Sequence, residues 1–277
     1  MKITSGIISG YRQYLEKEEK AEATVRKYIH DVTSFIRWLS GREADKERLL
    51  EYKEHLRGIY KPVSVNAAIS ALNSFFMYLG AAMRIKTIKI QKRIYSDSSR
   101  ELRKQEYKRL LSAAEKNGDR RLYLIIKTIF ATGIRVSELR FITAEAVSRG
   151  EAVISCKGKM RTVFISRDMC RILEKYISER RIKSGSIFIT RTGKPVDRSN
   201  ISKAMKKLAE AAQVVKSKVF PHNLRHLFAR TYYSAYKDIV RLADILGHSS
   251  IDTTRIYTME SGDIHRRQIE RLGLALC

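Results

Sequence analysis

Apolar residues recur at intervals of three and four over long stretches of this chain, and that period belongs to amphipathic helices rather than to strands. The clearest case opens at Thr24, after which Tyr28, Val32, Phe35, Ile36 and Leu39 form one apolar stripe. Further helices are expected at about 5–18, 45–57 and 63–83. The last follows Pro62, with Ser64 as a candidate cap and Ala68, Leu72, Phe75, Phe76 and Leu79 as its inner face. Together these make a small helical bundle. Residues 84–100, RIKTIKIQKRIYSDSSR, lose the period, are basic and end in a Ser/Asp cluster, which is the composition of a linker. The boundary should fall near residue 95. Residues 1–95 then form one helical domain, with a basic linker from about 84, and 96–277 form a second, a division that suits 277 residues.

Beyond the linker, helices are expected at about 103–116 and 119–131, stopped by Gly133, with a short helix from Val136. EAVISC (151–156) and RTVFI (161–165) are β-branched runs separated by Lys157–Met160, the pattern of a hairpin. A third strand is expected at 186–189, before the turn-like TRTGKP. Helices at 168–181, 197–212, 222–235 and 237–246 and an amphipathic segment at 262–274 complete a mainly α fold with a small antiparallel β-sheet.

Charge narrows the partners. The chain carries 55 Lys plus Arg against 29 Asp plus Glu, a formal net charge of +26, while 44% of its residues are hydrophobic. That much apolar material builds a core, so a disordered or acidic solvating protein is excluded. Residues 1–95 hold 18 basic against 10 acidic residues, and the remainder 37 against 19, so the positive field is not confined to one tail. A polyanion gripped by two folded bodies is the natural partner, and nucleic acid fits, because neutralised phosphates release condensed counterions. A merely solvated basic surface is the plainer alternative. No apolar run approaches the roughly 18 residues that cross a bilayer, Leu122–Phe130 being broken by Lys127, so no membrane association is expected. MKITSGIISG lacks the apolar stretch of a secretory signal. Cys156, Cys170 and Cys277 form neither a framework nor a CxxC pair, which suggests free thiols in the cytoplasm.

Four fragments could carry chemistry: ATGIRVSEL (131–139), CKGKMR (156–161), HNLRH (222–226) and LGHSSIDTTRIY (246–257). Singly, each has an ordinary reading as surface charge, hairpin turn, or core and rim aromatic. Jointly they supply what nucleophilic attack on a phosphodiester needs. Arg135 and Arg225 offer planar forks for the nonbridging oxygens of the transition state. His222 and Arg225, at i and i+3 after Pro221, share one helix face and could touch one phosphate. Tyr257 is the hydroxyl placed a short helix beyond a histidine loop, inert at its reference pKa near 10 until a base or a positive field helps it ionise. Lys157 on the hairpin tip suits a general acid for the leaving 5′ oxygen.

In these four fragments, taken in order, the chain resembles the tyrosine recombinases (integrases), close to the Xer-like single-chain group. The Thr24…Tyr28 pattern followed by FIRWL is similar to that family's helical core-binding domain. The resemblance implies an active site of Arg135, Lys157, His222, Arg225, His248 and Tyr257, with Glu138 orienting it. It implies a two-domain clamp around double-stranded DNA and cleavage of one strand at a time that leaves Tyr257 joined to a 3′ phosphate, with neither cofactor nor metal required. It further implies a monomer in solution and a tetramer on two DNA sites, with room for a partner recombinase or accessory factor. The hairpin departs from the commoner K-G-x-K-x-R by one residue, so Lys159 competes with Lys157 for the acid role, and Lys157 is favoured because it precedes the Gly. His30, His55, His226 and His265 read as structural or solvent-facing. No His/Cys cluster has zinc spacing, and no carboxylate set asks for two magnesium ions, which disfavours metal-dependent nuclease or transposase chemistry. Rival functions are a type IB topoisomerase and a DNA-binding protein without catalysis. The histidine of HxxR and the LGH motif nine residues before Tyr257 favour a recombinase over the former, and the ordered set of catalytic types over the latter. In the tail, Ile264, Ile269, Leu272, Leu274 and Leu276 make an apolar side that, in the family resembled, docks into a neighbouring protomer; folding back on its own domain is the alternative.

Overall fold

A computed structural model describes residues 5–91, 98–156, 159–258 and 262–272. The fold is mainly helical with one two-stranded antiparallel sheet among the described residues, and it separates into two units, Met1–Lys92 and Arg93–Cys277.

The first unit packs α1 (Ser5–Lys17), α2 (Glu22–Leu39), α3 (Lys46–Ile59) and α4 (Pro62–Tyr78) around Tyr11, Val32, Phe35, Leu72, Phe75 and Phe76, all at most 1% exposed. The apolar stripe of α2 thus faces the core as its spacing requires. Helix α4 departs from expectation at both ends. Pro62 occupies the first turn with Lys61 as the preceding cap residue, so Ser64 lies inside the helix. The helix stops at Tyr78, before Gly80 at φ 66°, and not at residue 83. Residues 81–91 form no helix or strand, yet their backbone is fixed to α4. Asn73 donates to Ile85 O (3.0 Å) and accepts from Ile85 N (3.1 Å), and Asn66 does the same with Ile88 (2.9 and 2.7 Å). Each carboxamide therefore acts as a strand-like partner for an extended segment.

In the second unit α5 (Lys104–Lys116) and α6 (Arg120–Thr132) lead into a 3-10 helix, Val136–Phe141, rather than an α-helix. Gly133 ends α6 at φ 64°, and a Cβ there would strike the Phe228 ring, so this stop requires glycine twice over. A short α7 (Ala144–Arg149) precedes β1 (Glu151–Cys156) and β2 (Lys159–Phe164), which pair from Glu151↔Phe164 to Cys156↔Lys159. The inner face of this hairpin carries Ala152, Ile154 and Val163, while Val153, Met160 and Phe164 are exposed. Then follow α8 (Arg167–Glu179), α9 (Arg198–Ala211), α10 (Pro221–Tyr236), α11 (Ile239–Leu246), α12 (Ile251–Arg255) and α13 (Gly262–Arg271). The third strand expected at 186–189 does not form. Ser186 and Ile189 make isolated bridges to Thr143 and Pro195, and the consecutive Ile187 and Phe188 are both buried, so this segment threads the core without a partner strand. Pro195 has no N–H to extend a ladder. No described helix is long and apolar enough to cross a membrane.

Candidate active site

The chemistry-bearing side chains gather around the C-terminal end of α11. A helix leaves its last carbonyls without intrahelical donors and carries partial negative charge there, and three guanidiniums converge on three successive carbonyls. Arg161 Nη1 donates to Ile245 O, Arg225 Nη2 to Leu246 O (2.7 Å), and Arg135 Nη2 to Gly247 O (3.3 Å). Such a cation cluster is costly unless opposite charge offsets it. Glu138, 3% exposed, supplies that charge, accepting from Arg135 Nη1 (2.8 Å), Arg161 Nη2 (2.6 Å) and the Arg135 backbone N–H (2.9 Å). Burial opposes ionisation of Glu138, but the backbone donor and the two guanidiniums outweigh it and hold the carboxyl below its ordinary value.

Arg225 extends from α10 and is 1% exposed. Its Nη1 donates to Gly133 O, the carbonyl at the end of α6, so one side chain joins the ends of α6 and α11. Burial first, and Arg135 second, push its pKa down to about 10, which leaves it charged at neutral pH. Among the described residues its buried Nε has no hydrogen-bond partner. With Arg135, His222, Ser137, Arg198 and Ser202, Arg225 lines a cleft of about 330 Å³.

His248 stands between Arg225 and Thr254. Its Nε2 lies 3.0 Å from Arg225 Nη2, and its Nδ1 lies 2.8 Å from Thr254 Oγ1. A guanidinium can only donate. Nε2 must therefore accept, and the neutral imidazole carries its proton on Nδ1 and donates to the fully buried Thr254. Burial and the neighbouring Arg225, Arg135 and Arg161 push the His248 pKa down to about 4, in keeping with that neutral form.

Tyr257 follows α12 in a turn closed by Tyr257 N–H donating to Thr254 O (2.9 Å). It is 4% exposed and packs with Ala229, Leu242 and Leu246. Its ring is stacked with His248 (centroids 5.9 Å apart) and meets His226 edge-on at 4.7 Å; His226 in turn meets His222 at 4.5 Å. Desolvation, then His222, Arg230, Arg225 and His248, push His226 down to about 3, while His222 is lowered by desolvation and by Arg225 and Arg135.

Arg135, Glu138, His222, Arg225, His248 and Tyr257 thus lie in one cluster. Lys157 lies outside the described residues, as does Gly158, and of Lys159 only the backbone pairing with Cys156 is described. Three contributors escaped sequence reasoning. His226, read there as structural or solvent-facing, sits i+4 from His222 against Tyr257. Arg161 acts through contacts distant in sequence, at Glu138 and Ile245, while Thr254 meets His248, six residues before it. Strand alternation holds a signal for Arg161, since it shares the inner face with Val163.

The model of the phage integrase family matches residues 100–262, and that of the phage integrase N-terminal SAM-like domain matches residues 8–82. The tyrosine recombinase XerA of Pyrococcus horikoshii is 28% identical over 98% of this chain and 95% of its own length. The tyrosine recombinase XerH of Campylobacter jejuni is 30% identical over 86% of this chain and 73% of its own. In fold, the chain is similar to a lambda integrase crystallised as a tetramer bound to a Holliday junction, with a TM-score of 0.72 at 19% identity over 92% of this chain and 77% of that one. With the family match spanning more than half its length and its relatives aligned across both units, the chain belongs to the phage integrase family and is a site-specific tyrosine recombinase.

Proposed function

We propose that this recombinase cleaves duplex DNA with Tyr257 as the nucleophile. The observation that carries the reading is the packing of Tyr257 against His248, whose Nε2 is bound by Arg225 within the arginine cluster. The scissile phosphate would enter the cleft lined by Arg135, His222 and Arg225. Arg135, 39% exposed in its side chain, has a guanidinium reachable from the cleft, and the buried Nε of Arg225 is a donor that a phosphate oxygen would satisfy. Both hold positive charge where negative charge grows in the transition state. The Tyr257 oxygen bonds to phosphorus as the bond to the 5′ oxygen breaks. The phenolic proton is lost to solvent, and Lys157 on the hairpin protonates the leaving oxygen. Phosphodiester energy is kept in the 3′ phosphotyrosine, and a 5′ hydroxyl from another strand reverses the step in exchange. Glu138 orients Arg135 and does not react.

Both units are basic, and both are proposed to grip the duplex, 1–95 as the core-binding and 96–277 as the catalytic domain. Relatives of this fold include the lambda integrase tetramer on a Holliday junction, and this chain is proposed to be a monomer in solution that assembles as a tetramer on two sites. Ile269 and Leu272 near the end of the chain are exposed at 54% and 65%, which suits a tail that docks in a neighbouring copy.

Footprinting on DNA flanking the encoding gene would define a bound site, and a duplex nicked next to the scissile phosphate would then trap the covalent adduct. Tyr257→Phe should keep binding and lose the adduct. A Tyr257→Phe protein that traps at wild-type yield would show that another residue is the nucleophile.

A further inference from the structure

The hairpin and the arginine cluster meet at one side chain to which the mechanism above gives no task. Arg161 takes an inward position on β2, opposite the buried Ile154 and on the same strand face as the buried Val163. Its side chain is only 13% exposed, and its two terminal nitrogens reach two different elements: Nη2 the carboxylate of Glu138 at 2.6 Å, Nη1 the carbonyl of Ile245 near the end of α11. The neighbouring Gly247 leaves the space it occupies, because a Cβ there, besides sitting at φ 63°, would run into the Arg161 stem. A salt bridge placed merely for stability would not need to link the hairpin, the residue that orients Arg135, and the segment that carries His248.

We propose that Arg161 is a positioning residue that seats the β1–β2 hairpin on the catalytic cluster and so places the hairpin lysine against the leaving oxygen. It touches neither DNA nor the reacting atoms. Its planar fork holds Glu138 and α11 through two separate nitrogens in fixed geometry, which a compact ammonium does not reproduce. The inference rests on the reading of the hairpin as the source of the general acid, but not on which of Lys157 and Lys159 supplies it.

The test compares full-length wild-type, Arg161→Gln and Arg161→Lys proteins on the nicked duplex, made with either oxygen or sulfur at the 5′ bridging position. Sulfur leaves without protonation, so a defect in delivering the proton disappears on that substrate. Misplacing a reacting group by about 1 Å costs about 10²-fold. Arg161→Gln should lose about that much on the oxygen substrate, keep its DNA affinity within about twofold, and return to within about tenfold of wild type on sulfur. Arg161→Lys, which keeps charge and stem, should show the same pattern and serves if the Gln variant does not fold. Equal deficits on both leaving groups would make Arg161 a structural residue only, and wild-type rates on oxygen would remove its role; either overturns the proposal. Lys157→Ala and Lys159→Ala on the same two substrates judge the acid separately. Rescue of one lysine variant without rescue of Arg161→Gln leaves the acid reading standing and overturns the seating role; rescue of neither lysine variant removes the acid reading, and the placement of a lysine with it.

Discussion

Thr254→Val removes one hydroxyl and little else. Thr254 Oγ1 is the acceptor for the Nδ1 proton that the Arg225 contact requires His248 to carry. Valine keeps the branched shape and the backbone carbonyl that closes the Tyr257 turn. What is lost is a buried neutral hydrogen bond, net about 0.5–1.5 kcal/mol, and the imidazole N–H left without an acceptor raises the cost to about 1–3 kcal/mol. For a unit of this size, melting should fall by about 2 to 4 °C per kcal/mol. If the same energy orients His248 in the transition state, cleavage falls about 5- to 150-fold, at 1.36 kcal/mol per tenfold. Single-turnover cleavage of the nicked duplex measures the rate, and ¹⁵N shifts of His248 report the tautomer. Thr254→Ser, which restores the hydroxyl, should recover most of both. A Thr254→Val protein that cleaves at the wild-type rate would refute the claim that this hydrogen bond orients His248 in the transition state, whatever its melting temperature.

Arg225→Lys should lower cleavage by about 10²- to 10³-fold with a much smaller loss of DNA affinity, because an ammonium cannot reproduce the fork between Gly133, Leu246 and His248; equal losses would make Arg225 an ordinary phosphate anchor. His226 and His248, held near 3 and 4 in the folded protein, take up protons near 6.5 when unfolded. The unfolded state therefore binds more protons between those values, so their contribution to stability is full above about pH 6.5 and is lost on acidification, down to about pH 4 for His248 and about pH 3 for His226. Urea midpoints should fall across that window, less steeply in His226→Asn, and NMR titration of either imidazole near 6.5 in the folded protein would contradict the assignment.

Much of the fold was legible because its signals are local. The stripe of α2 needs only spacing, and Gly133 announces a helix end because a left-handed residue there favours glycine. The failures share a cause. Helix α7 holds six residues, too few to show a period. The strand expected at 186–189 is composed like a strand, but its partners are single residues in other loops. Residues 84–90 lose the helical period as a linker does, while the carboxamides that fix Ile85 and Ile88 stand on α4, at Asn66 and Asn73. The candidate site divides in the same way. The spacing of His222 and Arg225 on one helix was readable. That Arg225 is buried, with its fork on two helix ends and on His248, was not, because Gly133 and Leu246 are far away in sequence.

The most direct measurement is to digest the trapped protein–DNA adduct and sequence the peptide that carries a nucleotide. The expected peptide contains Tyr257, esterified through its phenolic oxygen to a 3′ phosphate, with a free 5′ hydroxyl on the released strand. A nucleotide on any other residue, or a 5′ phosphate on the protein-linked strand, would contradict the mechanism.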